Sequence, residues 1–356
     1  MARLRRVDCS APGISRSRRG RGFSFLDARG ERVDDPVVLS RIAELVIPPA
    51  WKEVWICSYA NGHIQATGID AAGRKQYLYH PVWRQKQDLR KFEDMIAFAH
   101  DLPAMRERTE AILRGSKALS RERVLACALR LLDDGFFRIG SEGYAESNET
   151  YGLATMRKEH LKLRPGGLMV FDFPAKHGVQ QIQGFADPLV YDVVARLRRR
   201  RTGGDELLAY CEKRRWRDVK SPDINVFLKE VTGGDHTAKD FRTWPATVLC
   251  AIGLAVSGEA AGTKTGRKRA VVRAVKEVAH YLGNTPAVCR ASYIDPRVID
   301  AYEGGIVIRP ALEEAAAEPE GARPLLQHQH PAVHDAVLDL LNGLEAKQAS
   351  GLANVA

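Results

Sequence analysis

The 356-residue chain is short of several features that would each announce a particular chemistry. No apolar run approaches the roughly 20 residues that span a bilayer, which argues against a membrane protein. The six cysteines, at positions 9, 57, 127, 211, 250 and 289, form no C-x-x-C pair and no Cys/His cluster at zinc spacing, so they read as reduced intracellular thiols. There is no GxxxxGK[ST] loop to cradle a nucleotide and no carboxylate cluster of the kind that holds magnesium, so neither a cofactor nor a metal is expected. His328-Gln329-His330-Pro331 invites a metal reading, but no further ligands follow nearby, and the stretch reads as a solvated tail. The N-terminus, MARLRRVDCSAPGISRSRRGRG, has charge without an apolar segment behind it. Residues 1–20 therefore read as a flexible basic arm and not as a secretory signal.

Acidic residues are too few to balance basic ones: 44 against 54, a formal net charge of +10. That excess favours an anionic partner, nucleic acid foremost. With 45% hydrophobic residues the chain can bury a sizeable core, and its length suits two domains and a tail.

From about residue 21 to 80 the runs VWICS, HIQATGI and KQYLYH alternate as strands, separated by Asn61-Gly62 and by Ala71-Ala72-Gly73. They predict a small antiparallel sheet. Residues 81 to about 113 then carry Leu89, Phe92, Met95 and Ile96 at helical spacing. Beyond Ser120, a natural N-cap, an apolar stripe of Val124, Leu125, Ala128, Leu131 and Leu132 ends at Gly135. GLATM and HLKL read as short strand-like pieces, and LMVFDF and VQQIQ flank PAKHG as a hairpin with Lys176 at its tip. The remainder reads as mainly helical. Asp187-Pro188 and Ser221-Pro222 open two helices; WPATVLCAIGLAVS forms a third, and RAVVRAVKEVAHYL a fourth that stops at Gly283. An acidic, alanine-rich linker follows residue 309, and a last amphipathic helix runs from Val333 to Leu344. No internal repeat is found.

This pattern predicts an α+β chain: a small N-terminal antiparallel β-sheet domain over residues 21–110, a larger, mainly α-helical domain with a short β-hairpin sheet over 111–311, and a linker and tail over 312–356. Taken alone, Tyr293, among Arg290, Ser292 and Asp295, has the look of a half-buried packing residue. Arg138 and Arg242 read as surface residues, Lys176 as a hairpin-tip lysine and Asn284 as a helix cap.

Five blocks in series change that reading: GRKQYLYHP, FFRIGSEGYAESNETYGLATMRKEH, VFDFPAKHGV, TAKDFRTW and LGNTPAVCRASYIDP. Together they resemble type IB DNA topoisomerases of the bacterial and poxvirus-like kind, over roughly residues 20 to 310. The resemblance implies the catalytic fold shared with tyrosine recombinases. It also implies relaxation of supercoiled DNA through a 3′-phosphotyrosyl intermediate, without ATP or a required metal.

By this similarity Tyr293 is the nucleophile, Arg138 and Arg242 hold the nonbridging oxygens, and Lys176 is the general acid for the leaving 5′-oxygen. Asn284 stands where poxvirus-like members carry a histidine; an amide donates a hydrogen bond but cannot act as an acid. Ala175 precedes Lys176 where the family often has glycine. Gln76, Tyr77 and Tyr79 resemble the segment that touches the major groove. Phosphate contacts are expected from Arg74, Lys75, Arg157, Lys158, Lys220 and Lys239, with RLRRRR as a further basic run.

The implied partner is double-stranded DNA, held by a monomer that clamps the duplex in the cytoplasm, in association with the nucleoid. Two other readings compete. A tyrosine site-specific recombinase would carry H-x-x-R where this chain has Lys239-Asp240-Phe241-Arg242, and would have a helical arm-binding domain in place of the sheet. A non-enzymatic basic DNA-binding protein would have a purely structural tyrosine.

Overall fold

The computed structural model describes residues 3–20, 22–143, 145, 149–257, 263–317 and 327–353. The expected acidic linker is helical in its first half, within Arg309–Ala317, and its second half falls in residues 318–326, which lie outside the described residues. The chain divides into two compact units, Met1–Glu93 and Asp94–Ala356.

The first unit is built on five antiparallel strands, β1 (Ile14–Arg19), β2 (Gly22–Leu26), β3 (Lys52–Ile56), β4 (Ile64–Ile69) and β5 (Lys75–Tyr79), in the order β2-β1-β3-β4-β5. Helix α1 (Pro36–Glu44), capped by the Asp35 carboxylate on the Val37 N–H, contributes Ile42 and Val38 to a core with Ile14, Val54, Ile56 and Ala66.

The expected flexible arm is corrected here. Residues 14–19 form β1 because Ile14 is buried in the core opposite Ile56, and Arg16 donates to the carbonyls of Ile47, Pro48 and Trp51 at 3.3, 3.1 and 2.7 Å. Charge that looks solvated in sequence is satisfying backbone acceptors. The Asn61-Gly62 signal also lies within a longer loop, whose carbonyls at Ala60 and Gly62 accept from the buried Gln65 amide at 3.1 and 2.7 Å. The Asp70 side chain holds the β4–β5 turn by accepting from the Ala72 and Arg74 N–H groups, each at 2.9 Å.

Helix α2 (Pro81–Arg114) begins in the first unit and ends in the second. In the second unit α3 (Arg121–Gly135) is capped by Ser120 as expected, but it is buried on nearly every side. A helix with this many charges tolerates burial because they are paired: Arg106 with Asp133 at 2.8 Å, Arg130 with Asp187 at 3.0 Å and Arg123 with Asp192 at 2.9 Å.

Strands β6 (Leu161–Leu163), β7 (Leu168–Pro174) and β8 (Gln180–Ala186) form a three-stranded antiparallel sheet, with Lys176 in the β7–β8 turn. The hairpin stands as predicted. GLATM does not form a strand: Leu153–Thr155 is one buried 3-10 turn, with Leu153 and Ala154 donating to the carbonyls of Arg138 and Ile139. Helix α4 (Pro188–Arg199) follows, capped by Asp187.

The hairpin of β9 (Ala209–Glu212) and β10 (Arg215–Asp218) goes unannounced in the sequence, because its turn places Lys213 and Arg214 at φ 48° and 64°, where Asn or Gly would have been the signal. The rest is helical: α5 (Ser221–Thr232), α6 (Asp240–Ser257), α7 (Lys264–Leu282), α8 (Pro286–Ser292), α9 (Pro296–Glu303), α10 (Arg309–Ala317) and α11 (Pro331–Ala353).

The C-terminal stretch expected to be solvated is docked. His328, His330 and His334 are buried, and Val333, Val337 and Leu341 of α11 are fully enclosed. An indole N–H can only donate, so the bond from Trp244 Nε1 to His334 Nδ1 at 3.2 Å fixes the proton on Nε2, which donates to the Ala99 carbonyl at 3.0 Å. Burial, reinforced by Arg106, pushes this imidazole from its ordinary 6.5 down to about 4.

A histidine that stays neutral when folded but protonates near pH 6.5 when unfolded stabilises the protein fully above pH 6.5. That stability is lost as the pH falls from 6.5 through 4. Replacing His334 with Phe removes this proton linkage. The melting midpoint of His334→Phe is therefore expected to fall less between pH 6.5 and 4 than that of the parent. Melting curves followed by circular dichroism at several pH values check this, and equal slopes would exclude His334 from the linkage.

Candidate active site

The chain from α3 to Arg138 turns sharply. Gly135 closes the helix, and Phe136 rather than the glycine adopts the left-handed conformation, φ 52° and ψ 22°. Gly135 cannot be larger, since a Cβ there would lie 2.2 Å from a Phe137 ring atom. Phe137 is buried 5.0 Å from the Phe171 ring and 6.0 Å from Phe173, so the turn is locked against the three-stranded sheet. Arg138 emerges from that lock. Its terminal nitrogen donates to the Gly283 carbonyl at 2.9 Å and to Asn284 Oδ1 at 2.6 Å.

Arg242 lies in the first turn of α6 and is nearly enclosed. It donates to the Phe136 carbonyl and, at 2.8 Å, to the Leu282 carbonyl. Both arginines thus draw on carbonyls at the C-terminal ends of α3 and α7, where backbone acceptors lack partners and the helix dipole favours a cation. Among the described residues neither arginine forms an ion pair with a carboxylate. Burial, and after it the charge of Arg138, brings Arg242 down to about 10, with the Tyr293 phenol opposing; it stays charged at neutral pH. Burial also lowers Arg138.

Helix α7 ends at Gly283, left-handed at φ 59°, as its position predicted. A Cβ at Gly283 would lie 2.3 Å from Gln181 Oε1 on the β7–β8 hairpin, so the glycine also permits the hairpin to approach. Because a guanidinium only donates, the Asn284 carbonyl oxygen must face Arg138. Its Nδ2 is then left buried without an acceptor among the described residues.

Tyr293 is the residue that terminates α8, not part of an irregular stretch, and α9 starts three residues later behind the Asp295 cap. Its ring lies 5.1 Å from the Arg242 guanidinium carbon. Thr247 on α6 ties the segment down: its hydroxyl accepts from the Asp295 N–H at 3.1 Å and reaches the Tyr293 carbonyl at 3.3 Å.

Arg138, Lys176, Asn284 and Tyr293 line one open cavity of ≈ 940 Å³, together with Asp134 and Gln181. Arg242 sits behind its wall, in a small adjoining void also lined by Arg138. Lys176 is exposed and makes no hydrogen bond or ion pair among the described residues. Five side chains from positions 138 to 293 are thereby brought to one place. Sequence reasoning did not find Thr247, Gln181 or the Phe136 turn; the alternation of VQQIQ, which points Gln181 inward, was the available signal for one of them.

The expected groove and phosphate residues are more scattered. In the first unit Tyr77 and Tyr79 are exposed on one face of β5, 41% and 43%, with rings 6.1 Å apart and nearly parallel. Gln76 points to the other face and donates to Asp70 at 2.9 Å; Arg74 also pairs with Asp70, at 2.9 Å. Lys75 is exposed.

In the second unit Arg157 and Lys239 are exposed, and Lys220 lies 3.8 Å from Glu142. Lys158 donates to the carbonyls of Arg200 and Gly204, at 3.2 and 2.6 Å. Within RLRRRR, Arg200 is buried and donates to backbone carbonyls, including that of Leu207 at 2.8 Å. Among the described residues no group of three or more His, Cys, Asp or Glu side chains could hold a metal, and no helix is long and apolar enough to cross a membrane.

Residues 80–307 match the eukaryotic DNA topoisomerase I catalytic core, and residues 22–70 match the bacterial DNA topoisomerase IB N-terminal domain. The chain is 30% identical over 301 residues to DNA topoisomerase 1B of Acanthamoeba polyphaga mimivirus, covering 82% of this chain and 88% of the viral protein. It is 21% identical over 237 residues to DNA topoisomerase 1B of Vaccinia virus (strain Copenhagen), covering 65% of this chain and 70% of that one. Against DNA topoisomerase 1 of Daucus carota it is 29% identical over 130 residues, 36% of this chain and only 15% of the plant protein.

Proposed function

The chain belongs to the type IB DNA topoisomerases, and from that premise we propose that Tyr293 cleaves one strand of duplex DNA, with Arg138, Arg242, Lys176 and Asn284 completing the catalytic set. The observation that carries this assignment is the pair of guanidinium groups that have no carboxylate partner among the described residues, beside an amide N–H₂ with no acceptor among them, at the edge of a cavity that the tyrosine also lines. A phosphodiester in its transition state accumulates negative charge on its nonbridging oxygens, and fixed donors aimed there lower the barrier.

In this mechanism the Tyr293 oxygen attacks phosphorus and gives up its phenolic proton to solvent, the bond to the 5′-oxygen breaks, and the 5′-hydroxyl leaves with a proton from Lys176. Arg138 and Arg242 hold the nonbridging oxygens, and Asn284 Nδ2 donates to one of them without any acid role. The product is a 3′-phosphotyrosyl ester, which conserves the bond energy. The free 5′ end rotates about the intact strand. Its hydroxyl then attacks the ester and returns its proton to Lys176, the bond to the Tyr293 oxygen breaks, and the phenolate regains its proton from solvent, so the DNA is resealed and the cycle balances without ATP.

For binding we propose that Tyr77 and Tyr79, with Gln76 in support, face the bases, and that Arg74, Lys75, Arg157, Lys220 and Lys239 contact phosphates. At Lys158 such a contact competes with the carbonyls it already serves. A monomer whose two units hold the duplex, working in the cytoplasm on the nucleoid, completes the reading.

Tyr293→Phe is expected to abolish relaxation of supercoiled plasmid, in EDTA without ATP, and to abolish covalent trapping while leaving DNA binding nearly intact; a trapped adduct in this variant would refute the nucleophile. Lys176→Ala should slow single-turnover cleavage by roughly 10²- to 10⁴-fold, the usual contribution of a general acid. Cleavage at the parental rate would remove Lys176 from that role. Equilibrium binding titrated over salt should weaken steeply: five neutralised phosphates give a log–log slope of about −4.5. A flat response would exclude the phosphate contacts.

A further inference from the structure

The family match to the catalytic core ends at residue 307, yet the C-terminal segment beyond it reaches both arginine-bearing elements. Gln329, almost fully buried, donates Nε2–H to Asp134 Oδ1 at 2.8 Å. Asp134 also lies 3.8 Å from Arg130 Nε, which is itself held by Asp187 at 3.0 Å, so its carboxylate is fixed from two directions. It sits two residues before Phe136, the residue whose left-handed turn launches Arg138 and whose carbonyl receives Arg242. The His328 ring packs 5.1 Å from the Phe136 ring. On the other side His334 accepts from Trp244, which follows Arg242 by two residues on α6.

Covering the core needs only the apolar side chains of α11, since Val333, Val337 and Leu341 are already enclosed. A buried amide and imidazole are costly unless their hydrogen bonds are made, and here they are made at the two places that set the arginines.

We propose that Gln329 and His334 are positioning residues for strand cleavage: Gln329 fixes the turn from Asp134 to Phe136 that sets Arg138 and receives Arg242, and His334 fixes Trp244 behind Arg242. This rests on the roles given to Arg138 and Arg242 above.

The test uses the full chain and single-turnover cleavage of a duplex at saturating enzyme. Gln329→Met keeps the volume and loses the donor. Its cleavage rate constant is expected to fall about tenfold, the scale of one buried hydrogen bond to a charged group, with DNA affinity within about twofold of the parent. In an Arg242→Ala background the same substitution should cost less, about threefold, because of the two guanidinium groups that the turn serves only Arg138 is then still in use.

An unchanged rate in Gln329→Met, or the full loss repeated in the Arg242→Ala background, overturns the proposal. Arg242→Ala cleaving at the parental rate overturns instead the role of Arg242. If Gln329→Met does not fold, His334→Phe in the same two backgrounds carries the test through the other contact, with the same expected outcomes.

Discussion

Two guanidinium groups share one small space, and carbonyl oxygens hold them where carboxylates would usually be found. Arg242 reaches the carbonyls of Phe136 and Leu282; Arg138 reaches those of Gly283 and the Asn284 side chain. Three of these four acceptors are backbone groups at the ends of α3 and α7. Dipoles of this kind fix a cation in place without cancelling its charge, whereas a carboxylate would do both. The positive potential that survives is what the proposed mechanism offers to a phosphodiester.

Much of the local structure serves to bring those two helix ends together. Helix α3 has to stop abruptly, so Gly135 yields to the Phe137 ring and Phe136 accepts a left-handed backbone that costs a non-glycine residue about 1 kcal/mol or more. The close approach of Gly140 to Gly152, where a Cβ on either would meet the other's backbone at under 3.0 Å, lets the 3-10 turn at 153–155 grip the carbonyls of Arg138 and Ile139. At the other helix end, Gly283 turns the chain and leaves room for Gln181. The left-handed Phe136 is unfavourable in isolation and persists because the packing around it leaves no alternative, whereas the glycines adopt their conformations without that cost.

The sequence made legible what depends on local pattern. The hairpin with Lys176 at its turn, the Ser120 and Asp187 caps and the Gly283 stop all follow from nearest neighbours, and they stand in the structure. The meeting of residues 138, 176, 242, 284 and 293 could not be read from periodicity; only the ordered series of motifs pointed to it. What stayed hidden depends on long-range partners. Arg16 resembles a solvated arginine until the carbonyls of Ile47, Pro48 and Trp51 surround it, and β1 follows from that. His328 and Gln329 resemble a solvated tail until Phe136 and Asp134 are nearby. The β9–β10 turn escaped because Lys213 and Arg214 take a conformation that their side chains do not advertise.

The way Tyr293 is mounted has a mechanical consequence. It sits where α8 ends, three residues ahead of α9, and the Thr247 hydroxyl on α6 fastens the backbone on both sides of Ile294. In the proposed mechanism this short span is the covalent tether for one end of the cut strand while the other end swivels, so torque from the unwinding duplex would be delivered to it. The two Thr247 bonds fasten that span to the long buried helix α6, so in the proposed mechanism the twist would load α6 rather than stretch the tether.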